Sequence, residues 1–357
     1  MRKRWWVLIP LLALTVVVAV LWTQRADVAR RLLPDLLARN FLSSLQNDLG
    51  EGLHVLLCGS GGPMADAVRS GPCLVVMAGN QTLVFDAGSG AARSLMGAKV
   101  DVGAIDAVFL THFHSDHIDG LGELALNRWV RRANRSPLPV EGPMGVTEVV
   151  VGLNRVYGQD ARYRQAHHGN RVAPLSGAGM VAHPWAPPEG SASVEVWREG
   201  GVSVEAFAVD HAPVEPAVGY RVTYAGRSVV ISGDTSANEN VARFSQDADV
   251  LFHEALSPEL VAMLGQAGKA QGDSIVEQIM IDIPDYHTTP VEAAEIAARA
   301  GVGHLVYYHI VPPLPLPGMD QIFLEGVAPV FDEHTLGVDG LLVSLPPNSD
   351  AINIASP

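Results

Sequence analysis

Repeats with a period of 20 to 50 residues are missing from this 357-residue chain, as is any low-complexity tract, so neither a solenoid nor a disordered chain fits it. Positive charge is scarce: 24 Lys and Arg stand against 38 Asp and Glu, for a net charge of -14. Nucleic acid is usually met by a basic face, so this balance argues against a partner recognised mainly through phosphate neutralisation, while a local basic groove stays open. Cysteine is nearly absent. Cys58 and Cys73 flank the turn-rich stretch GSGGPMADAVRSGP between two apolar runs. Paired, they would close about 15 residues and contribute about 3 kcal/mol in the chain-entropy picture; unpaired, they would be two buried thiols. What is plentiful is apolar surface, at 48% of residues, enough for a substantial core.

Trp5 to Trp22 is uncharged and strongly apolar behind the basic start Arg2, Lys3 and Arg4. As a helix it would span about 27 Å at roughly 1.5 Å per residue, just enough to cross a bilayer. Basic residues ahead of it favour a cytoplasmic N-terminus, although Arg25, Arg30 and Arg31 weaken the asymmetry. No convincing small-x-small cleavage site follows Val20, so an uncleaved anchor is favoured over a cleaved signal peptide. The catalytic part is then expected outside the cytoplasm, anchored to the inner (cell) membrane, or periplasmic or secreted if the segment is cleaved. The expected order is an anchor or signal over residues 1–24, a linker helix over 25–50 with Leu32, Leu33, Leu36 and Leu37 at helical spacing, and one domain over 51–357.

From His54 the pattern turns to short β-type runs (HVLLC, CLVVMAG, TLVFDAG, AVFLTH), and a second series follows: VEVWREG, VSVEAFAVD, VGYRVTYAG, RSVVISGD and DVLFHEA. Helices are expected over Gly120–Arg132, Thr147–Tyr157 and Val291–Ala300, a strand over His304–Ile310, and loops around Pro137–Pro143 and Ala173–Gly190. Two strand-rich halves with flanking helices predict an α/β (α+β) architecture of two sheets packed face to face.

The chemistry concentrates in Thr111–Leu121, THFHSDHIDGL, where His112, His114, Asp116 and His117 fall within six positions after the apolar run Ala107–Leu110. Imidazole nitrogens and carboxylate oxygens are the ligands of zinc-like dications. Residues two apart on a strand end share a face, so His112 and His114 can hold one ion while Asp116 and His117 turn to a second. Two ions need more donors. His211 after VSVEAFAVD, Asp234 closing RSVVISGD and His309 ending HLVYYH all sit at strand termini, where loops deliver side chains to a shared site. Singly, each also reads as a capping aspartate or a half-buried histidine.

These residues resemble the metallo-β-lactamase superfamily, in its ribonuclease Z and arylsulfatase-like branch, from about His54 to Leu345. THFHSDHIDGL matches the signature His-x-His-x-Asp-His; DHAPVEPAVGYRV resembles the third-ligand segment, SGDT the bridging-aspartate segment, HEA the glutamate loop after it, and HTTPVEAAEIAARAGVGHLVYYHI the closing segment. GSGGP near Gly59 and FDAG near Asp86 are weaker matches. The resemblance implies an αββα sandwich binding two divalent metal ions, zinc first, with manganese or iron also allowed by the ligand chemistry. It implies His112, His114 and His211 on one ion, Asp116, His117 and His309 on the other, and Asp234 bridging. Two dications lower the pKa of a shared water toward neutrality, which makes it the nucleophile. Asp116 would orient or deprotonate that water, and His287, positioned by Glu254, would act as general acid. The same HTTP stretch also reads as a helix start, with Thr289 as N-cap and Pro290 at the first helical position. His253 is expected to support the ligands from behind or to be structural, and His167 and His168 to form a loop pair near the site mouth.

Ribonuclease Z enzymes carry a long arm between the third ligand and the bridging aspartate. Here Val218 and Asp234 are separated only by GYRVTYAGRSVVISG, room for a tight hairpin at Ala225-Gly226. With the acidic balance and the anchor, this favours a sulfate or phosphate ester of a small alcohol or phenol. The expected partners are therefore a small-molecule ester substrate and the membrane through the N-terminal helix, with no nucleic acid and with a homodimer left open. The alternatives are a ribonuclease Z-type tRNA 3′ endonuclease, a lactonase or β-lactamase, and a non-enzymatic binding module.

Overall fold

The computed structural model describes Val18, residues 22–42 and residues 44–357. They fall into two compact units, one ending at Asn47 and one running from Asp48 to Pro357. The first contains helix α1 (Arg25–Leu42), with Pro34 inside it and an exposed Arg30–Asp27 ion pair. Of the Trp5–Trp22 run only Val18 and Trp22 are described, so that stretch lies almost wholly outside the described residues. Among the described residues no helix is long and apolar enough to cross a membrane, so the expected transmembrane helix finds no support in the structure. Helix α1 carries Arg25, Asp27, Arg30, Arg31 and Asp35, and a charge at the bilayer centre costs roughly 2.5–3.5 kcal/mol. The extracytoplasmic, membrane-anchored localisation rested on that span and is withdrawn with it.

In the second unit the strands are β1 (Leu53–Gly59), β2 (Cys73–Ala78), β3 (Gln81–Phe85), β4 (Ala107–Phe109), β5 (Leu138–Pro143), β6 (Met180–Trp185), β7 (Ser193–Glu199) and β8 (Val202–Ala208). There follow β9 (Val218–Tyr224), β10 (Arg227–Ile231), β11 (Val250–Leu256), β12 (His304–Val311), β13 (His334–Leu336), β14 (Leu342–Leu345) and β15 (Asn353–Ala355). They form two sheets, ordered β15-β14-β1-β2-β3-β4-β5-β6 and β13-β12-β11-β10-β9-β8-β7. Each sheet is antiparallel in one part and parallel in the other. The principal helices are α2 (Ser115–Ile118), α3 (Leu121–Arg132), α4 (Val146–His168), α5 (Pro258–Ala270), α6 (Ser274–Asp282) and α7 (Pro290–Ala300).

Strand alternation assigns the two faces of the second sheet. Val229, Ile231, Phe252, Val306 and Tyr308 join Val55, Leu57, Val76, Phe85 and Phe109 of the first sheet in one buried core. One residue out of step, Val230, Leu251, Leu305 and Tyr307 pack with Ala293, Ala294 and Ala297 of α7. This is the expected sandwich of two sheets with helices outside. Cys58 and Cys73 are joined by a disulfide, fully buried across the β1–β2 pair. Strands β9 and β10 are joined by the tight hairpin at Ala225 and Gly226, both with positive φ (49° and 79°), the conformation of a two-residue turn matched to strand twist.

The loop assignments needed correction. Leu138–Pro143 is a strand in parallel register with Met180–Trp185, itself inside the supposed Ala173–Gly190 loop. Proline content hid both, because it marks turns by composition while two flanking parallel strands can still pair around a missing N–H. Helix α4 also runs past Tyr157 to His168, so His167 and His168 form its last turn rather than a loop.

Candidate metal centre

Carboxyl ends of parallel strands open toward one crevice, the usual place for a site in a mixed sheet. His112 and His114 leave the end of β4; Asp116 and His117 follow on the single turn α2. His211 comes after β8 and Asp234 after β10. His309 lies within β12 at φ 46°, where the β11–β12 register passes from Tyr308 to Ile310. It is the extra residue of a bulge, a device that re-aims one side chain out of its strand's alternation. Gly62 lies against its ring, and a Cβ there would come within 3.1 Å of His309 Cε1. At Gly88 a Cβ would stand 2.2 Å from the Asp116 carbonyl oxygen, so only glycine lets that loop press on α2.

All seven expected ligands converge. His112, His114, His211 and Asp234 each offer a ligand atom within 4.8 Å of the others, and Asp116, His117 and His309 do the same. Asp234 Oδ2 stands 3.1 Å from His309 Nε2, 3.3 Å from His117 Nε2, 3.8 Å from His112 Nε2 and 3.9 Å from His211 Nε2. It therefore joins both groups. Ligand atoms about 2.0–2.1 Å from a tetrahedral ion stand roughly 3.3 Å apart, which is the spacing found here. His112 Nε2 and His114 Nδ1 are 3.0 Å apart, and His114 Nδ1 and His211 Nε2 3.3 Å. His117 Nε2 and Asp234 Oδ1 are buried without a hydrogen bond, as atoms directed at a cation would be. The donor set fits a pair of divalent ions.

The surroundings fix which nitrogen faces inward. His211 Nδ1 donates to the Tyr286 carbonyl at 2.9 Å, and His117 Nδ1 donates to Asp86 Oδ2 at 2.8 Å, leaving each Nε2 lone pair free. Thr111 Oγ1 donates to Asp86 Oδ2 (2.8 Å) and can accept from His112 Nδ1 (3.0 Å), with the same result. Burial first, and neighbouring imidazoles after it, hold His112 well below its ordinary pKa; burial likewise lowers His114 and His211. Neutral imidazole is the form that coordinates. Burial opposes the charge on Asp234, yet the adjacent His309 and His117 hold its carboxyl well below the usual range. For His117 burial is outweighed by Asp234 and Asp86, which draw it well above 6.5. These carboxylates call for positive charge between them.

Glu254 lies in β11, not in a loop, and is fully buried. Its Oε1 accepts from Thr288 N at 2.9 Å and stands 3.2 Å from His287 Nδ1. Burial disfavours a charged His287, but the Glu254 carboxylate outweighs it and lifts the imidazole to about 9. Thr289 caps α7 in a reciprocal pair with Glu292, with Pro290 first in the helix, so the capping and site-forming readings of HTTP hold together. A cavity of about 280 Å³ opens over the cluster, walled by Pro63, Met64, Met280 and Tyr286 and floored by Asp116, Asp234, His287 and His309.

Asp86 was missed as a site residue, although FDAG after an apolar run marks a carboxylate at the end of β3. Tyr286 was also missed, and nothing in its local pattern singles it out. Outside the cluster, His253 donates to the Glu254 carbonyl and is structural; His183 pairs with Glu141 at 2.6 Å; His167 and His168 are exposed at the end of α4.

A family model described as Metallo-beta-lactamase superfamily matches residues 67–266. The Ribonuclease Z of Mycolicibacterium gilvum is 35% identical over 284 residues, covering 79% of this chain and 92% of that protein. The Ribonuclease Z of Mycobacterium bovis is 36% identical over 271 residues, covering 75% and 89%. Human tRNase Z, short form, has the same fold with a TM-score of 0.60 at 22% identity, over 82% of this chain and 99% of that one. These relatives overturn the expectation of a small-molecule ester with no nucleic-acid partner. The tight hairpin and acidic balance bear on how a substrate is gripped, not on what the cluster beneath it can cut.

Proposed function

As the chain belongs to the metallo-beta-lactamase superfamily and to its ribonuclease Z branch, and is therefore a metal-dependent hydrolase, we propose that it hydrolyses a phosphodiester bond in RNA with two zinc ions. The observation that carries this is the single oxygen, Asp234 Oδ2, set within 3.9 Å of four imidazole nitrogens drawn from both ligand groups. The name shared by relatives above one-third identity supports RNA as the substrate.

His112, His114 and His211 would hold one ion, Asp116, His117 and His309 the other, and Asp234 both; the nitrogen-rich set suits zinc. When bound, such a pair supplies Lewis acidity at the phosphoryl oxygens and brings the pKa of a water toward neutrality. Asp116, on the cavity floor, accepts a hydrogen bond from the attacking water and aligns it. His287, kept protonated by Glu254, donates through its remaining nitrogen to the departing oxygen, which would otherwise leave as an alkoxide. Glu254 is a positioning residue, held by Thr288 N and Thr235 N. Tyr286, Met280 and Met64 wall the cavity and keep bulk water from these transfers.

The test is metal analysis of the purified protein together with turnover of bis-p-nitrophenyl phosphate and of a 3′-extended precursor tRNA. The expected result is about two ions per chain, cleavage of both substrates, and collapse of both activities in Asp234→Ala. Full turnover by that variant would refute the dinuclear reading; aryl ester hydrolysis without any RNA cleavage would refute the RNA reading.

A further inference from the structure

The chain is acidic as a whole, but its charge is unevenly spread. Between Arg128 and Arg171 lie eight arginines and only Glu141, Glu148 and Asp160 as acids, within a sequence of 24 basic and 38 acidic residues. Three of the eight are occupied: Arg128 is buried on the Ile105 and Ser136 carbonyls, Arg132 pairs with Asp101 and Arg164 with Asp160. Arg131, Arg135, Arg155, Arg162 and Arg171 are exposed and have no ion-pair partner among the described residues. A run of charge on a helix is commonly just a solvated face, usually laced with opposite charges. Here those charges are largely missing.

Position adds the second argument. Helix α4 starts beside the metal cluster: a Cβ on its N-cap Gly145 would meet the ring of Phe113, which sits between His112 and His114, at 2.7 Å. From there its 23 residues extend about 35 Å. Arg155 and Arg162 are two turns apart on one exposed side, and Tyr163, 63% exposed, lies next to them. The chain then passes Arg171 and returns to the end of α3, where Trp129 Nε1 donates to the Pro174 carbonyl at 2.8 Å. That end carries Arg131 and, just beyond it, Arg135.

We propose that the outer face of α4, with Arg155 and Arg162 and with Arg171 beyond its end, is the surface that holds the sugar-phosphate backbone of the RNA, in place of an arm that the β9–β10 hairpin leaves no room for. This rests on the RNA reading above. Guanidinium groups neutralise phosphates irrespective of sequence, and an exposed tyrosine offers a stacking platform to an unpaired base.

The experiment compares wild type, R155Q/R162Q/R171Q, and a control R93Q/R198Q/R299Q that removes equal charge from exposed arginines elsewhere. For each, kcat and KM are measured for precursor tRNA across a salt series, and turnover is measured for bis-p-nitrophenyl phosphate. In the α4 variant KM for RNA should rise about tenfold or more at low salt, and the slope of log KM against log salt should flatten by roughly two units for three lost phosphate contacts. Its kcat and its aryl ester turnover should stay at wild-type values, and the control should match wild type throughout. An RNA KM and salt slope equal to those of wild type or of the control would overturn the proposal while leaving the RNA reading intact. If wild type hydrolyses the aryl ester but cuts no RNA, the functional reading falls and this one with it.

Discussion

Asp86→Asn should separate the two ions. The Asp86 carboxylate accepts from Thr111 N at 2.9 Å, from Thr111 Oγ1 at 2.8 Å and from His117 Nδ1 at 2.8 Å. Asparagine can keep the first of these through its carbonyl, but its amide nitrogen cannot accept the other two. If the amide instead donates to His117 Nδ1, the imidazole proton moves to Nε2, the atom 3.3 Å from Asp234 Oδ2, and its lone pair is no longer available inward. Losing such an outer partner typically weakens metal affinity about 10- to 100-fold, or roughly 1.4–2.7 kcal/mol. His211 takes its tautomer from the Tyr286 carbonyl, His114 makes no hydrogen bond to Asp86, and His112 reaches Asp86 only through Thr111 Oγ1, so the first ion should weaken less. Zinc titration against a chromophoric chelator resolves the two dissociation constants. Equal weakening of both sites, or of neither, would refute the claim that Asp86 governs one ligand group through His117.

Two further outcomes follow from the same geometry. In metal-stripped protein the His287 imidazole should titrate near 9, and Glu254→Gln should bring that midpoint down. Because the folded value lies above the ordinary 6.5, the stability this pair contributes is complete below about 6.5 and disappears as pH rises through about 9; a wild-type NMR titration at or below 6.5 would contradict it. Replacing Cys58 and Cys73 together by serine opens a 15-residue loop and should lower unfolding stability by about 3 kcal/mol. An unchanged denaturant midpoint would sink that figure.

The convergence of the donors was legible because the chemistry is dense: four donors within six positions leave few other readings, and the strand runs that place them alternate clearly. The disulfide partners were legible, though not their pairing. Pro139, Pro143 and Pro184 concealed β5 and β6, since composition reports turn propensity and parallel pairing is a long-range fact. Helices α5 and α6 went unread because exposed Met263, Ile275, Ile279 and Ile281 blur their apolar stripes. The bulge at His309 was invisible, since it depends on how β11 and β12 align. The expectation of no nucleic-acid partner, which the ribonuclease Z relatives contradict, leaned on net charge, and net charge averages over the whole chain.

The seven donors do not belong to one leaf of the molecule. Four leave the first sheet after Phe109; His211, Asp234 and His309 come from the second. A bound ion would thus be a rivet through both leaves, adding to the core that already joins them, so that metal binding and the stability of the sandwich would be linked. At free metal a hundredfold above its dissociation constant, each ion would add about 2.7 kcal/mol to the folded state. A cell that runs short of metal would accordingly lose not only the activity but part of the protein itself.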